Sequence, residues 1–144
     1  MKSITILSLA FIIMLGSLSC TAQSNKQTET QTTVKSNKIE VYYFHFTRRC
    51  MTCNAVETES KSALHDLYPE LLKNGTITFT SINLDEATSK PVADKCKAAG
   101  QSLLVISGDK RVDLTSQGFM NAVNNPDKLR EEIKKAIDPI LASK

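Results

Sequence analysis

The chain of 144 residues has no tryptophan, five glycines, four prolines, four cysteines and two histidines. Four cysteines are too few to staple a chain of this length as a small disulfide scaffold. The glycines are scattered, Gly108 and Gly118 read as single turn residues, and none belongs to a phosphate-cradling loop. No sign of charge dominates, because 18 Lys and Arg are interleaved with 15 Asp and Glu. The formal balance of +3 therefore points to no nucleic-acid partner. The single long apolar run, residues 4–15, falls short of the roughly 20 residues a bilayer span needs. Internal repeats, paired carboxylates and a Ser/His/Asp set are also missing. What is present is ordinary for a globular chain: 41% apolar and 23% charged residues, enough for one domain but not two large ones.

The apolar run opens after Lys2 and extends from Ile4 to Leu15, broken by Thr5 and Ser8. Gly16-Ser17-Leu18-Ser19-Cys20 closes it. A basic start, a short apolar centre and small closing residues describe an export signal over 1–19. Cys20 stands where a bacterial lipoprotein carries its lipid, although Ser17 occupies the place three before it and Leu18 comes one late. Cleavage after Ala22, without lipid, is the alternative. The expected location is therefore the bacterial cell envelope, lipid-anchored through Cys20, and otherwise periplasmic or secreted. Residues 20–37, rich in Ser, Thr, Asn and Gln with Val34 as the one notable apolar residue, cannot offset their ordering entropy and read as a flexible tether. The folded domain is expected over 38–144, as a monomer.

Within that domain the element types alternate. Ile39 to Phe46 is dense in β-branched and aromatic residues and reads as a central strand. A helix is expected from Cys50 to about Lys73, with Val56, Ala63, Leu64, Leu67, Leu71 and Leu72 at helical spacing and Pro69 kinking or dividing it. Asn74-Gly75 ends it, and Thr76 to Leu84 forms a second strand. Thr88 or Ser89 is expected to cap a short helix through Pro91 to Ala99. Ser102 to Ile106 is a third strand, and a Ser107–Lys110 turn leads to a fourth, Arg111 to Leu114. Asn124 or Asn125 and Pro126 open a last helix, lined by Leu129, Ile133, Ile137 and Ile140. Strand, helix, strand, helix, strand, strand, helix is an α/β layered order.

The chemistry concentrates at Arg48-Arg49-Cys50-Met51-Thr52-Cys53. A Cys-x-x-Cys pair that ends a strand and opens a helix lets two sulfurs meet across the first turn. The first sulfur then lies among unpaired backbone N–H groups, which favour a thiolate. Arg48 and Arg49 add positive charge before it. Cys50 is thus expected to be exposed and attacking, and Cys53 more buried and resolving. Met51 and Thr52 are uncharged and tune the thiolate through local N–H orientation.

This arrangement resembles the thioredoxin-like family of thiol–disulfide oxidoreductases, from the Ile39 strand to the Leu141 end. The resemblance implies a three-layer domain around a mixed sheet of about four strands. It also implies disulfide exchange with protein thiols or disulfides; no cofactor is expected, and an exported location calls for an envelope redox partner. Three departures are visible. The family's Trp-Cys-Gly-Pro-Cys is Arg49-Cys50-Met51-Thr52-Cys53 here. The buried acid six places before the first cysteine is Phe44. The cis proline facing the cysteines is replaced in Ala99-Gly100-Gln101-Ser102, where Gln101 takes its place and Ser102 stands where a threonine usually follows.

Two other functions stay open. One is a soft-metal module for copper or zinc, using Cys50 and Cys53, with Cys96 and His45 as candidate further ligands. The other is a structural or partner-binding domain that keeps its disulfide without turnover. Cys96 reads most simply as a small buried hydrophobe, and His65 as a helix-surface residue.

Overall fold

The computed structural model describes residues 38–143. The export signal, Cys20 and the tether, all within 1–37, lie outside the described residues, as does Lys144.

β1 (Ile39–His45) is the centre of the domain. Its β-branched and aromatic side chains alternate between two apolar layers, as the period of a strand requires. It runs parallel to β2 (Ile77–Asn83), with Tyr43 opposite Ser81. On its other side it pairs antiparallel with β3 (Ser102–Ser107), with Phe44 opposite Ser102. β4 (Lys110–Asp113) closes the order β2-β1-β3-β4 as an antiparallel hairpin with β3. The turn between them uses Gly108 at φ 56°, a left-handed conformation that glycine adopts without penalty.

α1 (Met51–Leu67) and α2 (Pro69–Lys73) are the expected first helix divided at Tyr68. Pro69 takes the first position of α2, where its missing N–H costs nothing. α3 (Lys90–Cys96) follows a single 3-10 turn over Ala87–Ser89. It ends at Cys96, earlier than the expected Ala99, because Lys97 turns left-handed at φ 53° and the Ala98 N–H closes onto the Ala93 carbonyl. Neither Thr88 nor Ser89 caps it through a side chain, and the Ser89 hydroxyl donates to the Glu86 carbonyl instead.

α4 (Thr115–Asn121) is not expected from the sequence. Gly118 lowers helix propensity at its middle, and the segment is too short for a clear period. α5 (Pro126–Ala142) is capped by the Asn125 side chain, which accepts the Lys128 N–H.

Two apolar layers result. Ile39, Val41, Tyr43, Leu103 and Val105 face Val56 and Leu64 of α1 and Leu129, Ile133 and Ile137 of α5. Phe44 and Leu104, on the reverse of the sheet, meet Ala93 and Cys96 of α3. Each fully buried aliphatic or aromatic side chain contributes about 1.5–3 kcal/mol relative to exposure. This is an α/β domain with a mixed four-strand sheet flanked by helices, consistent with a thioredoxin-like fold. Among the described residues, no helix is long and apolar enough to cross a membrane.

Candidate functional site

Cys50 is the N-cap residue of α1. Its backbone is extended, and its Sγ accepts the N–H of Cys53 at 3.2 Å. This is the place where Ser or Asp usually caps a helix, here taken by sulfur. The position satisfies one of the helix's orphan donors and sets the sulfur at the positive end of a 17-residue helix. Cys50 is exposed, while Cys53 is 4% exposed, and the two are joined as a disulfide with Cα atoms 5.1 Å apart. Met51, between them, is 75% exposed.

The strand behind the pair reaches Cys53 through Tyr43, whose hydroxyl donates to the Cys53 carbonyl at 2.8 Å. Burial pushes the Tyr43 phenol above its ordinary value, so it remains a donor. Phe44 points to the opposite layer and is fully buried there.

Arg49 does not stand free beside Cys50. Its guanidinium is 5.6 Å from the centre of the Tyr43 ring and is ion-paired to Glu57. Glu57 also takes Lys61 at 2.7 Å. Burial alone would raise the Glu57 carboxyl, but hydrogen bonds from Lys61 and Arg49 outweigh it and bring its pKa down to about 2. Much of the Arg49 charge is therefore spent on Glu57, and Arg48 is the exposed cation of the loop.

That loop is itself tied down. The Thr47 N–H donates to Asp85 Oδ2 at 2.8 Å, the Asn83 side-chain amide to Thr47 Oγ1 at 3.0 Å, and the Leu84 N–H to the His45 carbonyl at 2.7 Å. The backbone hydrogen bond from Thr47 holds the Asp85 carboxyl below its usual range.

From the far side the loop between α3 and β3 brings Gln101, whose Nε2 donates to Cys53 Sγ at 3.5 Å. Ser102 is buried and donates to the Gly100 carbonyl at 3.1 Å, so its hydroxyl shapes the loop. Thr52 is half-buried in the first turn of α1. Beside Gln101 lies an open groove of about 440 Å³, lined among others by Lys97, Ser102, Arg111, Asp113 and Gln117.

The other candidates lie elsewhere. His45 shares the face of Tyr43, stacked at 5.8 Å, and its Nδ1 is 3.0 Å from the Phe46 carbonyl oxygen. Cys96 is a buried free cysteine among Phe44, Ala93 and Leu104, across the sheet from α1, and burial raises its thiol. Cys50, Cys53, Cys96 and His45 are thus not gathered into one donor set. Among the described residues no three His, Cys, Asp or Glu side chains form a group that could hold a metal ion. His65 is exposed on α1.

Tyr43, Glu57 and Asp85 were not anticipated as parts of this site. Each is placed by a contact made through the fold, Tyr43 on the Cys53 carbonyl, Glu57 on Arg49 and Asp85 on the Thr47 N–H, and no local pattern announces it. No family model matches this chain, and no curated protein matches it. A Cys-x-x-Cys pair at a helix start in an α/β domain is compatible with redox chemistry, and the residues themselves must carry the finer reading.

Proposed function

We propose that this protein is a thiol–disulfide oxidoreductase of the bacterial cell envelope. Cys50 is its attacking sulfur and Cys53 its resolving one. The supporting observation is an exposed sulfur capping α1, bonded to a buried sulfur one turn inward.

In the reducing direction the Cys50 thiolate attacks a sulfur of a partner disulfide. A Cys50–partner bond forms, and the partner's other sulfur leaves with the electron pair. The Cys53 thiolate then attacks Cys50 Sγ, closes the intramolecular disulfide and releases the second partner sulfur. The oxidising direction is the same sequence reversed. The N–H of Cys53 and the helix end serve both by stabilising charge on Cys50. Partners are protein thiols or disulfides, with an envelope redox partner to reset the pair. Export and a lipid anchor at Cys20 follow from the pattern of residues 1–20 and complete the proposed setting; lipid chains contribute roughly 0.8 kcal/mol per buried methylene.

The test is equilibration with a glutathione redox buffer together with reduction of a protein disulfide by the wild type, Cys50→Ala and Cys53→Ala. The wild type is expected to cycle, Cys50→Ala to be inert, and Cys53→Ala to accumulate a mixed disulfide. A wild type that, in glutathione buffers poised to either side, neither reduces a protein disulfide nor oxidises a protein dithiol overturns the reading.

A further inference from the structure

We propose that Gln101 is a catalytic hydrogen-bond donor to the sulfur of Cys53, so that a neutral amide serves the resolving position. The proposal rests on the exchange function above and assigns the group that handles its buried half.

Exchange places a negative charge on Cys53 in both directions. When a partner thiolate attacks Cys50 Sγ, a partner–Cys50 bond forms, the Cys50–Cys53 bond breaks, and the electron pair leaves on Cys53 Sγ. When Cys53 resolves a mixed disulfide, the same thiolate is the nucleophile. At 4% exposure bulk water does little to stabilise that charge. The N–H of Cys53 is already given to Cys50 Sγ. The Tyr43 hydroxyl is given to the Cys53 carbonyl, and Phe44 faces the opposite layer. Among the described residues, Gln101 is the side chain that donates to Cys53 Sγ.

Its placement is built rather than incidental. Gln101 directly precedes β3, where buried Ser102 pairs opposite Phe44 and Leu103 donates to Thr115 Oγ1 at 3.1 Å. The loop is thus held by the central strand on one side and by the start of α4 on the other. A carboxamide donates at every working pH, so it does not have to change protonation between the two directions.

The donor increases the Cys53 thiolate population. It also lowers that thiolate's intrinsic nucleophilicity, with a Brønsted coefficient of about 0.4–0.5, so more than half of the gain is kept. Losing the donor is expected to slow resolution about 3- to 10-fold.

The probe is 5,5′-dithiobis(2-nitrobenzoate), mixed in stopped flow with the reduced full chain carrying Cys20→Ala and Cys96→Ala. Attack by Cys50 forms a Cys50–nitrothiobenzoate disulfide and releases one coloured thiolate. Attack by Cys53 on Cys50 Sγ closes the internal disulfide and releases the second. Gln101→Leu is expected to leave the first release within about twofold and slow the second about 3- to 10-fold. Gln101→Glu, which replaces the donor by a carboxylate, is expected to slow the second further, and it decides the matter if the Leu variant does not fold. An unchanged second phase overturns the proposal, as does equal slowing of both phases, the mark of a loop that merely shapes the site. Absence of both releases from the parent chain overturns the exchange reading instead.

Discussion

Cys50 and Cys96 both sit at helix ends, and the ends are opposite. Cys50 caps the start of a 17-residue helix, exposed, with an N–H aimed at its sulfur. Cys96 is the last residue of α3, buried against Phe44 and Leu104. The start of a helix favours an anion and the end disfavours one. Burial adds to the contrast by raising the Cys96 thiol. The same side chain thus stands exposed where a helix start favours an anion in one place and is packing material in the other. Position, not residue type, sets its reactivity.

The strongest way to break this contrast is substitution. Cys50→Ala is expected to lower the rate of disulfide exchange by at least ~1,000-fold, the scale of removing a nucleophile. Cys96→Ala should leave that rate within about twofold and cost about 1 kcal/mol in a denaturant titration. Equal losses would erase the distinction. The next test is alkylation of the reduced protein with iodoacetamide at neutral pH. Cys50 is expected to react at least ~100-fold faster than Cys96, read by peptide mass, because only a thiolate attacks and of these two Cys50 alone is exposed.

A smaller effect sharpens the comparison by disturbing one layer alone. A Cβ on Gly118 would lie 3.2 Å from Val56 Cγ1 and 3.5 Å from Leu103 Cδ2, so α4 packs at glycine distance on the layer that holds α1. Gly118→Leu is expected to destabilise by about 1–3 kcal/mol through overpacking, read from the denaturant midpoint. Cys96 should remain slow to alkylate in the folded variant. The smallest effect concerns Glu57. Its folded carboxyl lies at about 2, below the ordinary 4.5, so its contribution to stability is complete above 4.5 and is lost as pH falls towards 2. Glu57→Gln should flatten that part of the acid unfolding curve while leaving the neutral-pH alkylation ratio of the two cysteines intact within a few-fold.

Much of this was legible in the residues because the signals were periodic or local. The β-branched strand at Ile39, the helical spacing through α1, the break at Pro69 and the Asn125-Pro126 start of α5 all depend on near neighbours. The exposed Cys50 and buried Cys53 followed from three-residue spacing at a helix start. α4 was hidden because Gly118 argues against helix locally, while its reason for being there, close approach to Val56, lies some 60 residues away in the chain. Leu114, Gly118 and Ala122 do recur at helical spacing, and Asp113 Oδ1 accepts the Thr115 N–H, so a weak signal existed. Tyr43 and Phe44 are adjacent aromatics in sequence. Only the pleat, with the placement of α1 and α3, decides which one reaches Cys53. The commitment of Arg49 to Glu57 was likewise invisible, since charge along a chain does not say which pairs close. Cys96 is not gathered with Cys50 and Cys53 for the same reason, because it falls on the other side of the sheet.

One atom in this protein holds two offices. The sulfur of Cys50 both carries the proposed chemistry and fastens the first turn of α1 through the Cys53 amide. A thiolate accepts a hydrogen bond more strongly than a disulfide sulfur does. In the proposed exchange, reduction is therefore expected to strengthen this hydrogen bond while it releases the covalent link between the same two residues. Amide-proton exchange at Cys53, compared between the reduced and oxidised protein, is expected to report which of the two ties holds that turn more firmly.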